Sequence, residues 1–203
     1  MKTIALTLTA LSIAFGSVAG NGGEEKTTAK VNTEKSTVFW TGKKVTGEHT
    51  GTLGLKSGEV VIENGAPVSA TMILDMSKIV CTDIKDEGTN QQFLGHLNSP
   101  DFFSVEAHPQ GEFKATSFTP IASAKDREPN YTVKGTLTLK GVSHPIEFPA
   151  FVSVKGKTVV ANGKLTFDRT KYDIKYGSGN FFDGLGDKVI YDDVALNFVL
   201  SAN

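Results

Sequence analysis

Apolar and polar residues alternate over most of this chain. Tyr131, Val133, Gly135, Leu137 and Leu139 share one parity, and Thr132, Lys134, Thr136, Thr138 and Lys140 the other. A period of two places one apolar face on a core and one polar face in water, the pattern of a half-buried strand. The same alternation recurs through Val68, Ala70, Met72, Leu74 and Met76. It returns in His144, Ile146, Phe148, Ala150, Val152 and Val154, in Val159, Ala161, Leu165 and Phe167, and in Ile190, Val194, Leu196, Phe198 and Leu200. Turn signals at Lys56-Ser57-Gly58, Asn64-Gly65-Ala66-Pro67, Gly141-Val142-Ser143 and Lys155-Gly156-Lys157 separate these runs. Short turns join strands as antiparallel hairpins. About eight to ten strands are predicted. Open sheets expose edges and closure removes them, which favours an all-β antiparallel barrel over a two-sheet sandwich.

Helical periodicity is confined to Thr89–Leu97. Thr89 followed by Gln92 fits a capping box, Phe93, Leu94 and Leu97 share a face, and Pro100 stops the run. One short helix in a barrel plugs or covers an end. The segment HLNSPDFF, His96–Phe103, then reads as the helix end followed by a strand start. Adjacent strand residues point to opposite faces, so Phe102 and Phe103 predict one ring inside and one covered from outside. Tyr176–Asp187, rich in glycine and carrying Phe181 and Phe182, reads as a long structured loop. Ala122–Asn130 reads as a polar hairpin loop.

The N-terminus reads as a secretory signal over residues 1–19: Lys2, an apolar run from Ile4 to Phe15, and small residues at Ser17-Val18-Ala19. The run is shorter than the ~20 residues a spanning helix needs. Residues 20–30 read as a flexible polar leader, and 31–203 as a single domain large enough to bury a core. A periplasmic or extracellular location follows as the expectation. The formal net charge is −1, with no basic stripe for nucleic acid. Cys81 is the only cysteine, so no intrachain disulfide forms and a buried thiol is expected.

Catalytic signatures are missing: no G-x-S-x-G, no P-loop, no H-E-x-x-H. Gly177-Ser178-Gly179 reads as turn glycines. Asp183, Asp187, Asp192 and Asp193 lack the spacing of a calcium loop. His49, His96, His108 and His144 form no close pair with metal-ligand spacing. No cofactor and no metal are expected. Asp168-Arg169 reads either as a turn brace or as a polar anchor for a ligand head group. Asn130-Tyr131-Thr132 matches a glycosylation sequon. What remains is apolar content, with thirteen phenylalanines and the single Trp40. An eight-stranded barrel either fills its interior or holds one small ligand. An eleven-residue strand of roughly 35 Å, tilted about 40°, gives a barrel roughly 25 Å tall, enough for a hydrocarbon chain.

Several ordered pieces carry a resemblance: Trp40-Thr41-Gly42-Lys43, His49-Thr50-Gly51, Asp75-Met76 with Ile79, HLNSPDFF at 96–103, the run Tyr131–Val142, Asp168-Arg169, and Gly186-Asp187. On these the chain resembles the YceI-like polyisoprenoid-binding proteins, secreted lipocalin-like barrels of bacteria. It departs from their pattern at Pro109-Gln110-Gly111-Glu112-Phe113, where Pro-Thr-x-x-Phe is common, and at Trp40, where Phe is commoner. The resemblance implies an extended barrel holding an isoprenoid or similar long-chain lipid in an apolar tunnel, without enzymatic activity. The expected wall residues are Trp40, Leu53, Met72, Phe93, Leu97, Phe102, Phe113, Leu137, Phe148, Phe167, Phe181 and Phe198. His49, Asp168 and Arg169 are the expected polar contacts at the mouth, and the 89–97 helix is the expected gate. A carrier for a quinone or fatty amide uses the same cavity. A structural interaction barrel has a filled core. Edges near the 176–187 loop offer a homodimer contact.

Overall fold

The computed structural model describes residues 26–203, so the expected signal at 1–19 lies outside the described residues. Among these residues nine strands and one α-helix follow in chain order: β1 (Lys26–Lys30), β2 (Thr37–Lys44), β3 (Gly47–Glu63), β4 (Ala66–Cys81), α1 (Glu87–Asn98), β5 (Gln110–Pro120), β6 (Tyr131–Leu139), β7 (Val142–Lys155), β8 (Thr158–Asp168) and β9 (Ile190–Ala202), with single 3-10 turns at Arg169–Tyr172 and Gly186–Lys188. All pairings are antiparallel. The sheet order is β1-β3-β2-β9-β8-β7-β6-β5-β4, and β4 pairs back onto β3 to close an eight-stranded barrel. β3 and β4 have 17 and 16 residues. At about 3.3 Å per residue they extend roughly 50 Å, longer than the alternation alone suggested.

The parity expectation holds. Val133, Leu137 and Leu139 of β6, Phe148, Ala150 and Val152 of β7, and Ala70, Met72, Leu74 and Met76 of β4 are buried in one interior cluster. Their alternate neighbours are exposed or half-buried.

Four local expectations are corrected. The leader is not free to its end: Lys26–Lys30 pairs with Glu59–Glu63 of β3, and Ala29 is fully buried. β1 and β2 share one place in the barrel wall, since Val31 bridges Ala202 of β9 while Val38–Lys44 pairs with the first half of β3. The crossing between them is held by the Asn32 side chain, which accepts from the Glu34 and Lys35 amides. Second, Lys56-Ser57-Gly58 is no turn. β3 runs through it, and only the register against β4 shifts between Leu55 and Ser57. Gly58 is required for packing: a Cβ there would sit 2.6 Å from the Met72 sulfur and 2.9 Å from Val31. The hairpin turns at Asn64-Gly65, both with positive φ (51° and 78°), as two-residue hairpins prefer.

Third, α1 is capped by Asp86, not Thr89. The Asp86 carboxylate accepts from the Thr89 amide at 2.8 Å and hydroxyl at 2.7 Å. Fourth, Phe102 and Phe103 start no strand. They lie in a series of turns between α1 and β5, in which the Phe103 amide donates to the Leu97 carbonyl and Ser104 takes φ +47°. The Lys140 ammonium, on the β6–β7 turn, clamps this series through the Pro100 carbonyl at 2.9 Å. The sequon asparagine is also engaged: Asn130 exchanges two hydrogen bonds with the Val152 backbone.

Gly51 marks the tightest approach of β3 to its surroundings. A Cβ there would collide with the Val80 carbonyl oxygen and lie 2.7 Å from the Trp40 ring. Trp40 is held over this spot by its indole N–H, which donates to the same Val80 oxygen at 3.1 Å. Gly51→Ala is therefore expected to lower unfolding stability by about 1–3 kcal/mol, the usual cost of overpacking. Gly95→Ala, on α1 with nothing within 4 Å, is expected to be neutral or to stabilise by up to about 1 kcal/mol. Denaturant unfolding of the two variants checks both signs.

Candidate functional site

The barrel interior is not filled. Two chambers lie along it. The far chamber, of about 100 Å³, is walled wholly by apolar side chains, including Met72, Phe113, Leu137, Phe148 and Phe198. Phe148 sits between Phe113 and Phe198, with ring centroids 5.5 and 5.8 Å away. The second chamber, of about 280 Å³, lies beneath α1 and the 99–107 turns. Trp40, Leu53, Phe93, Leu97, Phe102 and Phe167 line it, with Phe103 beside them. Both phenylalanines of HLNSPDFF therefore face the same space. Strand parity predicted opposite faces, but the turns around Ser99–Ala107 break that parity. Leu74 and Leu196 border both chambers and form a waist between them.

Packing explains why α1 sits over this end. Phe93 stacks on Trp40 at 6.4 Å and tilts against His49 at 4.6 Å. Leu97 is buried. Asn90 donates to the carbonyls of Cys81 and Ile84, fixing the helix to the end of β4. His96 and Phe102 both pack against Tyr176 of the long 176–187 loop, at 4.6 and 5.5 Å.

Of the expected site residues, Asp168 and Phe181 stand outside the cavities. Asp168 ends β8 by accepting from the Thr170 amide and hydroxyl, a turn brace. The Phe181 ring is 51% exposed, with the Lys175 ammonium 5.3 Å above it. It belongs to the loop surface, because the glycine-rich loop carries it away from the barrel wall. Arg169 borders the chamber, but its guanidinium is buried and committed. It donates to the carbonyls of Tyr191, Ile174 and Ile190 and to the Asp192 carboxylate at 3.2 Å. Four of the five N–H donors of an arginine are thereby used on protein. Burial lowers its pKa, and Asp192 and Asp168 oppose that. The Asp192 carboxylate also accepts from Ser178 and Asn180, so this network pins the 174–190 segment.

Residues not expected from the sequence also border the mouth, Lys43, Lys44 and Tyr191, together with His96 of α1. Lys43 pairs with Glu48 at 3.5 Å, and Lys44 has no carboxylate partner among the described residues. No periodic pattern marks these positions: Lys43, Lys44 and Tyr191 come together through the β2–β9 pairing, and His96 comes from α1.

His49 is tied into a small cluster. Its Nδ1 lies 2.8 Å from one oxygen of Asp83, and the Cys81 thiol donates to the other at 3.3 Å. The Thr50 amide donates to Asp83 at 2.8 Å. Burial works to raise the Asp83 carboxyl, but the hydrogen bonds from Thr50, His49 and Cys81 outweigh it and hold the group at about 2. Burial, with the Asp83 carboxylate adding to it, pushes the Cys81 thiol up against a lowering from the Ile84 backbone. Aspartate stands between thiol and imidazole, so His49 does not activate Cys81 as a nucleophile. As expected, Cys81 is buried.

Residues 30–202 match the family model described as YceI-like domain. A UPF0312 protein of Photorhabdus laumondii is 32% identical over 93 residues, 46% of this chain and 45% of that protein. The matched region thus spans about half the length of that relative. Among solved structures, BcnA of Burkholderia cenocepacia superposes with a TM-score of 0.66 at 24% identity, over 85% of this chain and 99% of that one. A polyisoprenoid binding domain from Saccharophagus degradans, implicated in plant cell wall breakdown, gives 0.62 at 18% identity, over 86% and 97%. These likenesses show the same fold.

Asp83 couples stability to pH. Its carboxyl titrates at about 2 in the folded chain against an ordinary 3.8. A depressed carboxyl contributes stability that is full above its unfolded value and lost as pH falls through the folded one. Asp83→Asn is therefore expected to lower the melting temperature at pH 6. The gap to wild type should close as pH falls from about 4 to about 2. A gap that stays constant over that range would show that the hydrogen bonds to Asp83 do not favour its charged form.

Proposed function

The chain belongs to the family of YceI-like domains, and from that premise we propose that it holds an isoprenoid or similar long-chain lipid in the barrel. The observation that carries this reading is the paired cavity. Protein interiors have few voids larger than a water molecule, whereas the chamber beneath α1 alone measures about 280 Å³. Beyond the waist the walls offer no polar partner at all: every lining residue of the far chamber is apolar. Such a space suits a hydrocarbon chain and excludes a polar one, because an unpartnered polar group there would lose its hydrogen bonds to water.

Affinity comes from the chain. Each buried methylene contributes about 0.8 kcal/mol, so ten contribute about 8 kcal/mol, the size of a micromolar affinity. The head group stays at the mouth, where Lys43, Lys44, His49 and His96 surround it. A lone ammonium at Lys44 favours an anionic head group. Arg169 acts by holding the mouth loops in place. α1 and the 99–107 turns form the cover that moves aside for loading. The protein is then a carrier or store, a binding protein rather than an enzyme, and works in the periplasm or outside the cell after removal of residues 1–19. The polyisoprenoid-binding name of the Saccharophagus domain supports the ligand class. A quinone or fatty amide would share the cavity, and its mass would identify it.

Purified protein is expected to carry a long-chain lipid in organic extracts read by mass spectrometry. Leu196→Trp should close the waist, deny the far chamber to the chain and cost two or more buried methylenes, roughly tenfold or more in affinity. Unfolding of the variant reports separately on the fold. No extracted lipid, together with no uptake of added isoprenoid, removes the reading and leaves a structural barrel.

A further inference from the structure

The β3–β4 register sets Gly51 opposite Cys81. His49 is two residues before Gly51 on β3, and Asp83 lies just past the end of β4, where the Thr82 amide still donates to the Thr50 carbonyl at 2.8 Å and brings Asp83 beside His49 and Cys81. Their ligand atoms, an imidazole nitrogen, a sulfur and a carboxylate oxygen, all lie within 4.8 Å of one another. We propose that His49, Cys81 and Asp83 form a binding site for a borderline divalent cation of the zinc type, placed at the root of α1.

The donor set decides the class. Calcium and magnesium take oxygen ligands. A mixed N, S, O set suits zinc, whose open sites use three protein ligands and leave a fourth position to water or an incoming group. The trio is supported from outside itself. The Thr50 amide fixes Asp83, and the Phe93 ring covers His49 at 4.6 Å. The Asn90 side chain grips the carbonyls of Cys81 and Ile84 on either side of Asp83. His49 and Asp83 are 27% and 33% exposed, so an ion can reach a site whose thiol is buried. On binding, the cation takes the place of the proton that Cys81 shares with Asp83. That proton leaves to solvent, and the thiolate and carboxylate both face the cation.

A cation here ties β3, the end of β4 and the root of the cover into one unit. Loading of the cavity and metal binding are then linked through α1, but the site stands without the lipid reading and is tested without lipid.

The test uses the purified chain without an affinity tag, stripped by a chelator and titrated with Co²⁺. A thiolate-to-cobalt charge-transfer band that saturates at one equivalent and is displaced by Zn²⁺ is the expected result. Cys81→Ser should abolish the band, and His49→Gln should weaken Co²⁺ binding roughly tenfold or more. Absence of the band in the wild-type protein overturns the proposal, whatever the variants do. So does a His49→Gln protein that binds Co²⁺ as tightly as wild type.

Discussion

The pairing of β4 back onto β3 is the constraint on which everything else rests. It converts a nine-stranded sheet into a closed wall and gives one face of every strand a common interior. Closure also sets the space. Eight strands enclose a volume that side chains can just fill or that can hold one small ligand. Here the inward residues are large enough to line the interior and too few to fill it, so two chambers remain. The long β3–β4 ribbon does further work. Its upper end, from Ile79 to Cys81 against Gly51–Leu53, continues past the start of β5. The gap this leaves in the wall is where α1 and the 99–107 turns lie.

Cover and mouth are held by contacts of a different kind from those of the wall. The wall depends on backbone ladders and apolar packing. The mouth depends on a few polar residues that are each used several times. Arg169 spans three carbonyls and one carboxylate, Asp192 collects Arg169, Ser178 and Asn180, and Asn90 joins α1 to β4. Lys140 bridges the Pro100 and Asp173 carbonyls, so the β6–β7 turn holds both the cover and the loop next to it. Wall and mouth are thus anchored by separate sets of contacts.

Much of the wall was legible in the sequence because alternation is a local signal. The inward parities of β4, β6, β7, β8 and β9 follow from it directly. What escaped it was set by tertiary partners. Lys26–Lys30 is polar and looks unstructured, yet β3 offers it an unpaired edge. Lys56-Ser57-Gly58 has turn composition, yet Gly58 is there because Met72 and Val31 leave no room for a Cβ. Phe102 and Phe103 face one chamber because they lie in turns, where strand parity does not apply. Strand parity points Leu53, Met72, Phe113, Leu137, Phe148, Phe167 and Phe198 to the chambers, where they lie, whereas Phe181, a loop residue with no parity to read, lies on the loop surface. Alternation says which way a side chain points but not whether the interior is full. The closeness of His49 to Cys81 and Asp83 depends on a register that follows only once the hairpin is placed at Asn64-Gly65.

Trp40 is the only tryptophan of the chain, and its ring lines the chamber beneath α1. Its fluorescence therefore reports on that space alone. Titration with a brominated long-chain isoprenoid, a contact quencher, tests chain binding at this place most directly. A barrel that holds a chain predicts quenching that saturates near one equivalent and is reversed by the unbrominated compound. Quenching that is absent, or that rises linearly without saturation, would contradict it.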